Sequence, residues 1–154
     1  MIQRKQTLWL LLASAVLIPL WFLPYASFIA GEEECEIFVR GLLNVSTGEM
    51  VEATMRFVIL IFATLVPILT IFFYKHRKAQ LEFCLSNIIL CVVIAGLIIV
   101  DWTSFNKPIE GSDIHAFKIH LIAVVPLLSM AMNYLAYRRI MYDELLIKSL
   151  DRIR

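Results

Sequence analysis

Two carboxylates and two imidazoles, at Asp101, Asp113, His115 and His120, are of the types that could hold a metal ion. Carboxylate oxygens and imidazole nitrogens are common zinc ligands. His115 and His120 are five residues apart, so they lack the i, i+4 spacing of a helical metal pair. A metalloenzyme would need all four to converge. The pattern favours interfacial polar residues that reach water, and we expect no enzyme activity, metal or cofactor.

The three cysteines do not have the spacing of a redox site. Cys84 and Cys91 are seven residues apart, on one face of a helix, within an apolar stretch, and Cys35 stands alone in another segment. Disulfide exchange needs an attacking and a resolving thiol, and the sequence has no CxxC. We therefore interpret Cys84 and Cys91 as small packing residues.

Two asparagines, Asn87 and Asn133, lie inside apolar stretches. We predict a hydrogen bond between them, because amides join helices where no water is available. The alternative is a wet cavity or ligand pocket. No Asp, Glu, Lys or Arg lies deep in these stretches, although ion-coupled transport usually places one there.

The elements that carry these residues follow from four charge-free gaps. The chain of 154 residues is 60% hydrophobic and 18% charged, and its gaps hold 26, 18, 18 and 19 residues. A helix of roughly 20 apolar residues crosses a bilayer, and lipid leaves backbone groups no other partner. The predicted fold is all-α: a single-domain (1–154) integral membrane four-helix bundle. Its spans are about 7–29, 55–74, 83–100 and 117–137, and the fourth helix continues as an amphipathic cytoplasmic tail of about 138–153.

Local patterns predict the connections on the outer side. Residues 35–40 could pair as a strand or lie on the membrane, and residues 46–49 have the spacing of a capping box that would start helix two. Glu52 and Arg56 would then form an i, i+4 pair. Residues 106–108 are typical of a turn, and residues 111–113 of the N-terminal cap of helix four.

The distribution of charge predicts the orientation. With the N-terminus inside, ten Lys and Arg residues lie on the inner side and four on the outer, while nine acidic residues lie outside and four inside. Lys and Arg in short loops mark the cytoplasmic face. We therefore predict cytoplasmic N- and C-termini.

Two functional classes fit this layout. The first is a non-enzymatic accessory or assembly subunit that docks a membrane-protein partner through its cytoplasmic hairpin (75–78) and charged tail. The alternative is a small-molecule or lipid-binding membrane protein, a transporter or sensor, built on helices bent at four prolines. These are Pro19, Pro24, Pro67 and Pro126. The predicted partners include the lipid bilayer and exclude nucleic acid.

Three stretches, MIQRKQTLWLLLA, FFYKHRKAQL and RRIMYDELLIKSLDRIR, resemble a family of small four-helix inner-membrane proteins of unknown function from Bacteroidota. The resemblance implies location, host group and topology, and it brings no catalytic residue. The matching residues all fall on the predicted cytoplasmic face and form the candidate interface. They are Arg4, Arg77, Gln80, Asp143, Glu144, Asp151 and Arg152.

Overall fold

The computed structural model describes residues 3–30, 33–73, 76–105 and 114–151. Its helices are α1 (Gln3–Leu17), α2 (Pro19–Phe22), α3 (Thr54–Phe72), α4 (Arg77–Phe105) and α5 (Val125–Asp151). α1 packs against α3 and α5, and α4 also packs against α3 and α5. The long helices therefore form a bundle in which α1 and α4 each contact the other two.

The prediction of an all-α fold is wrong, because a five-stranded antiparallel sheet lies between the helices in the chain. Its strands are β1 (Ala26–Ala30), β2 (Glu33–Phe38), β3 (Gly41–Asn44), β4 (Met50–Glu52) and β5 (Ile114–Ile119). Their order in the sheet is β4-β3-β2-β1-β5. The first four strands lie between α2 and α3, and β5 lies between α4 and α5, so both of these connections contribute to one sheet.

Alternating burial explains why these residues form strands. Successive side chains of a strand point to opposite faces, and the register pairs Phe28 with Cys35 and Ala26 with Ile37, all four buried. The Phe28 ring stacks on Phe105 near the end of α4, with ring centroids 4.9 Å apart. One face of the sheet is therefore continuous with the core of the helix bundle.

The first predicted span is shorter than expected. Pro19 interrupts the helix, as predicted, since proline cannot donate the backbone hydrogen bond: α1 ends at Leu17 and α2 at Phe22. Residues 26–30 are β1, although the prediction extended the helix to residue 29. The charge-free gap continues through this strand, so charge alone did not reveal the change.

The fourth predicted span is wrong in its outer part for the same reason. Residues 114–119 form β5, a short 3-10 turn covers Leu121–Val124, and α5 begins only at Val125. The His120 amide donates to the Tyr25 carbonyl oxygen at 2.9 Å, which extends the pairing beyond β5. The predicted turn at 106–108 and cap at 111–113 lie outside the described residues.

The predicted capping box at residues 46–49 is a hairpin turn between β3 and β4. The Asn44 Oδ1 accepts hydrogen bonds from the Ser46 amide at 3.0 Å and from its hydroxyl at 2.6 Å. Gly48 has a φ of 73°, which glycine adopts without strain. α3 therefore starts at Thr54, and Glu52 belongs to β4. Of the predicted strand at residues 35–40, residues 35–38 belong to β2.

Within the described residues, three helices are long and apolar enough to span a membrane: Thr54–Phe72, Arg77–Phe105 and Leu121–Leu146. A shorter apolar helical stretch, Gln6–Phe22, lies beside them. Large apolar side chains are exposed along α3 and α4, including Phe62, Leu69, Ile89 and Ile99. Exposed apolar surface on this scale is unusual for a soluble monomer and is compatible with a membrane protein.

Candidate functional site

A buried cluster of Tyr25, Arg56 and Asp101 lies where the sheet meets the helices. The Asp101 carboxylate, on α4, accepts two hydrogen bonds from the Arg56 guanidinium on α3, with Nη2 2.8 Å from Oδ1. The Tyr25 hydroxyl donates to Asp101 Oδ2, and Arg56 Nη1 lies 3.2 Å from the Tyr25 oxygen. Two helices and the segment entering the sheet therefore share one carboxylate.

Backbone hydrogen bonds fix Tyr25 in this cluster. Its amide donates to the Ile37 carbonyl on β2 at 3.0 Å, and its own carbonyl accepts from His120. The side chain is 1% exposed. Burial, and then the hydrogen bond and charge of Asp101, raise the pKa of Tyr25 above its usual range, so the hydroxyl remains a donor.

The geometry of the cluster is that of a two-point ion pair between helices. A two-point contact between a guanidinium and a carboxylate is among the stronger polar contacts in proteins. A cavity of about 10 Å³ lies beside Tyr25 and Arg56 and is lined otherwise by aliphatic side chains, which is about the space of one water molecule. The cluster joins the segment that enters the sheet to α3 and α4.

Two of the four candidate metal ligands, Asp101 and His120, lie against other side chains in the structure. Asp101 is occupied by Arg56 and Tyr25, and the exposed His120 lies with Nε2 3.2 Å from the Ser27 hydroxyl. His115 is in β5, whereas Asp113 lies outside the described residues. Within the described ranges, no group of three His, Cys, Asp or Glu residues is placed to hold a metal ion.

The middle of the bundle contains a buried polar layer. Ser129 on α5 donates to the Ala13 carbonyl of α1 at 2.9 Å, and Cys91 Sγ lies 3.7 Å from the Ser129 hydroxyl. Asn133 Nδ2 donates to the Ser129 carbonyl at 2.9 Å. These contacts join three helices at one depth and place Cys91 in packing, as interpreted from the sequence.

The predicted hydrogen bond between Asn87 and Asn133 is not formed. Both side chains are fully buried, yet both polar atoms of Asn87 and Oδ1 of Asn133 have no hydrogen-bond partner. An unpaired buried amide is costly. The layer therefore has unsatisfied polar atoms, in contrast to the paired cluster at Asp101.

Three of the predicted interface residues lie toward the opposite end of the bundle from the sheet, and two of them are in contact. Arg77 Nη1 on α4 donates to the Asp143 carbonyl on α5 at 3.0 Å, and Gln6 Nε2 on α1 donates to the Asp143 carboxylate. Gln80 is buried, and its Nε2 donates to the Thr70 carbonyl of α3 at 3.1 Å. Gln80 is thus an internal contact between helices.

The remaining predicted interface residues are spread along the chain. Arg4 is in the first turn of α1, Glu144 is half-buried in α5, and Asp151 is the last residue of α5. Arg152 lies outside the described residues. Of the seven candidates, the structure therefore joins Arg77 and Asp143 directly.

Sequence reasoning missed the Tyr25–Arg56–Asp101 cluster, although a signal was present. Arg56 begins the second charge-free gap and Asp101 ends the third, so antiparallel helices place them at one depth with opposite charge. The sequence interpretation paired Arg56 with Glu52 instead, because it placed both on one helix. The burial of Tyr25 depends on the sheet and has no local signal.

A family model described as a domain of unknown function (DUF4293) matches residues 2–153. No curated protein matches the chain.

Proposed function

The chain belongs to the DUF4293 family, a domain of unknown function, and we propose that it is a non-enzymatic multi-pass protein of the inner membrane in Bacteroidota. In this proposal it acts as an accessory or assembly subunit. It docks a partner membrane protein through the cytoplasmic end of its helices.

The spacing of charges along α4 supports insertion in a bilayer. Glu82 and Asp101 bound a charge-free stretch of α4. They are 19 residues apart, about 28 Å at 1.5 Å per residue, which is close to the roughly 30 Å hydrocarbon core of a bilayer. The side chains exposed between them, such as Leu85, Ile89 and Val92, are apolar apart from Ser86, whose hydroxyl donates to the Glu82 carbonyl.

The positions of the charges support the orientation. Arg77 and Asp143 meet near the N-terminal residue Gln6, at the end that carries most of the Lys and Arg residues. The sheet, with its acidic β2, lies at the other end. Both termini are therefore cytoplasmic under the positive-inside rule, and the sheet is on the outer side.

The observation that carries the docking role is the exposed apolar surface where α5 continues past the bundle. α5 extends eight residues beyond Asp143, about 12 Å of helix. Leu145 and Leu146 there are 58% and 42% exposed. Apolar side chains beyond the bilayer core are unfavourable in water, and a helix with such a face commonly packs in a partner's groove.

Affinity purification from native membranes tests this proposal. The exposed turn at residues 45–48 accepts an epitope without covering the tail, and mild detergent keeps complexes intact. We expect a partner at near one-to-one, lost in the Leu145→Ser/Leu146→Ser double variant. The matched control Val51→Ser, on the exposed outer strand β4, should retain it.

Two results would contradict the accessory-subunit function. One is recovery of the chain alone from native membranes. The other is a partner retained equally by the double variant and by wild type, which would place the interface elsewhere.

A second candidate function is binding of a small polar molecule inside the bundle. The specific observation is the pair of unpartnered polar atoms on the fully buried Asn87. Native mass spectrometry should then detect a bound species in wild type that Asn87→Leu loses. Identical spectra for the two proteins would exclude this candidate.

A further inference from the structure

We propose that Arg138 and Arg139, together with neighbouring tyrosines of α5, bind the phosphate of an anionic phospholipid in the cytoplasmic leaflet. The two arginines lie in an open concavity of about 460 Å³ on the surface of α5, with Tyr137, Tyr142 and Leu145 also in its wall. This site shares Leu145 with the protein-docking surface at Leu145 and Leu146. Its other residues lie outside that surface. It depends on the proposed membrane orientation and not on a protein partner.

The helix register places the arginines at the membrane boundary. Cys91 contacts Ser129 and Arg77 contacts Asp143, so the two contacts are 14 residues apart on both α4 and α5. The same antiparallel register sets Arg138 opposite Glu82. Glu82 ends the charge-free stretch of α4, so both guanidinium groups lie at the depth of the inner headgroups.

The charge of the concavity fits a phosphate. Arg138 and Arg139 are exposed, and no hydrogen bond or ion pair joins either one to another described residue. Among the described residues, those that line the concavity include no Asp or Glu. The nearby carboxylate of Asp143 is instead engaged by Gln6. Guanidinium groups match phosphate oxygens with two parallel hydrogen bonds.

The surroundings favour a lipid phosphate over a free one. Leu135 and Met141 add apolar wall to the same concavity. Tyr134, one turn toward the membrane, is exposed as well. Tyrosine is enriched at headgroup depth, and basic pockets at the cytoplasmic ends of membrane helices bind anionic headgroups. A phospholipid supplies both the phosphate and the acyl chains that such a mixed wall contacts.

Native mass spectrometry of the full-length protein, reconstituted in nanodiscs, tests the site. The nanodiscs contain phosphatidylglycerol and phosphatidylethanolamine in equal amounts. The measured quantity is the lipid that stays bound to the protein after the protein is released from the nanodisc. We expect selective retention of phosphatidylglycerol. Arg138→Gln/Arg139→Gln should reduce it by roughly tenfold or more, since each cation near an anionic surface contributes several-fold.

Two sets of variants separate a site from general surface charge. Lys78→Gln removes an exposed cation on the same side of the bundle and should leave most of the retained phosphatidylglycerol. Arg138→Lys/Arg139→Lys keeps the charge but loses the two-point geometry, and it should retain an intermediate amount. Equal losses of retained phosphatidylglycerol in Lys78→Gln and in Arg138→Gln/Arg139→Gln would overturn the proposal.

Inorganic phosphate distinguishes the two sources of the ligand. Millimolar phosphate should displace little phosphatidylglycerol if the acyl chains contribute, whereas complete displacement would reassign the site to a free phosphate. Retention of a partner in the purification above, without selective lipid retention, would refute the lipid site alone. A chain that fails to insert in nanodiscs would refute the orientation on which both proposals depend.

Discussion

The sheet end and the Asp143 end of the helix bundle, outer and inner in the proposed orientation, are stabilised in different ways. At the outer end, the buried Asp101 pairs with the partly exposed Arg56 and joins α4 to α3, and the Tyr25 hydroxyl donates to the same carboxylate from the segment that enters the sheet. At the inner end, a few side chains meet around Asp143, and α5 continues beyond them with exposed leucines. The comparison indicates a firmly joined outer end, the sheet with its Tyr25–Arg56–Asp101 cluster, which we call the outer cap. The inner end instead has surface available for contacts.

The largest expected effect is at the outer cap. Asp101→Leu leaves Arg56 without its partner and the Tyr25 hydroxyl without its acceptor. Breaking a buried pair commonly costs about 3–5 kcal/mol, and we expect the lower end, about 3 kcal/mol, because the Arg56 side chain is 29% exposed. Unfolding in detergent, followed by circular dichroism, measures the loss.

The double variant Arg56→Met/Asp101→Leu is the control for Asp101→Leu. It removes both charges together and should recover part of the stability, because no unpaired charge remains buried. A cost for Asp101→Leu below that of the double variant would show that the ion pair does not hold the cap.

The next largest loss of stability is expected at Gly41, where β3 and β4 approach closely. A Cβ built on Gly41 would lie 2.3 Å from the Val51 carbonyl oxygen, so the backbone must shift. Overpacking of this kind costs about 1–3 kcal/mol. Gly41→Ala should therefore lower the unfolding midpoint and loosen the sheet, which hydrogen exchange of β3 amides would detect.

Gly96→Ala is the matched control on α4. No atom lies within 4 Å of its added Cβ, and alanine is favoured over glycine in a helix by roughly 0.5–1 kcal/mol. The two variants should thus shift stability in opposite directions. Equal effects would contradict the close packing of the cap.

Asn87→Leu should raise stability, in contrast to the outer substitutions. Both polar atoms of Asn87 are unpaired, so leucine, which has the same branching and is larger, removes a desolvation cost of about 1–3 kcal/mol, of which we expect a net gain of about 1 kcal/mol after repacking. Asn133→Leu should gain less, since it also loses the hydrogen bond to the Ser129 carbonyl. A lower unfolding midpoint for Asn87→Leu would point to an occupant at the layer.

The sequence predicted the helices better than the cap, for a physical reason. Charge-free gaps identify apolar segments, and α3 and α4 fill theirs as helices. In the first gap, the apolar run passes from helix into β1 at Ala26 without a change in charge. Pro24 and the aromatic and β-branched residues after it, such as Phe28, were the signal for a strand.

The predicted polar residues were identified by type, but their partners depend on tertiary packing. Asn87 and Asn133 are buried as expected, yet each side chain's orientation is set by neighbours on other helices. Asp101 was considered a metal ligand that would converge with Asp113, His115 and His120 from a neighbouring helix. Its true partners, Arg56 and Tyr25, are 45 and 76 residues away along the chain.

The smallest expected effect is at the inner end. Arg77→Gln removes one hydrogen bond from the guanidinium to the Asp143 carbonyl and should cost about 1 kcal/mol or less in unfolding free energy. Its effect should be local, because the contact holds α5 near the point where it leaves the bundle. Limited proteolysis should cut the segment after Asp143 faster in Arg77→Gln than in the control Lys78→Gln. A cost as large as that of Asp101→Leu would mean that the inner end is as firmly closed as the cap, and the surface at Leu145 and Leu146 would then be part of the folded core rather than a docking face.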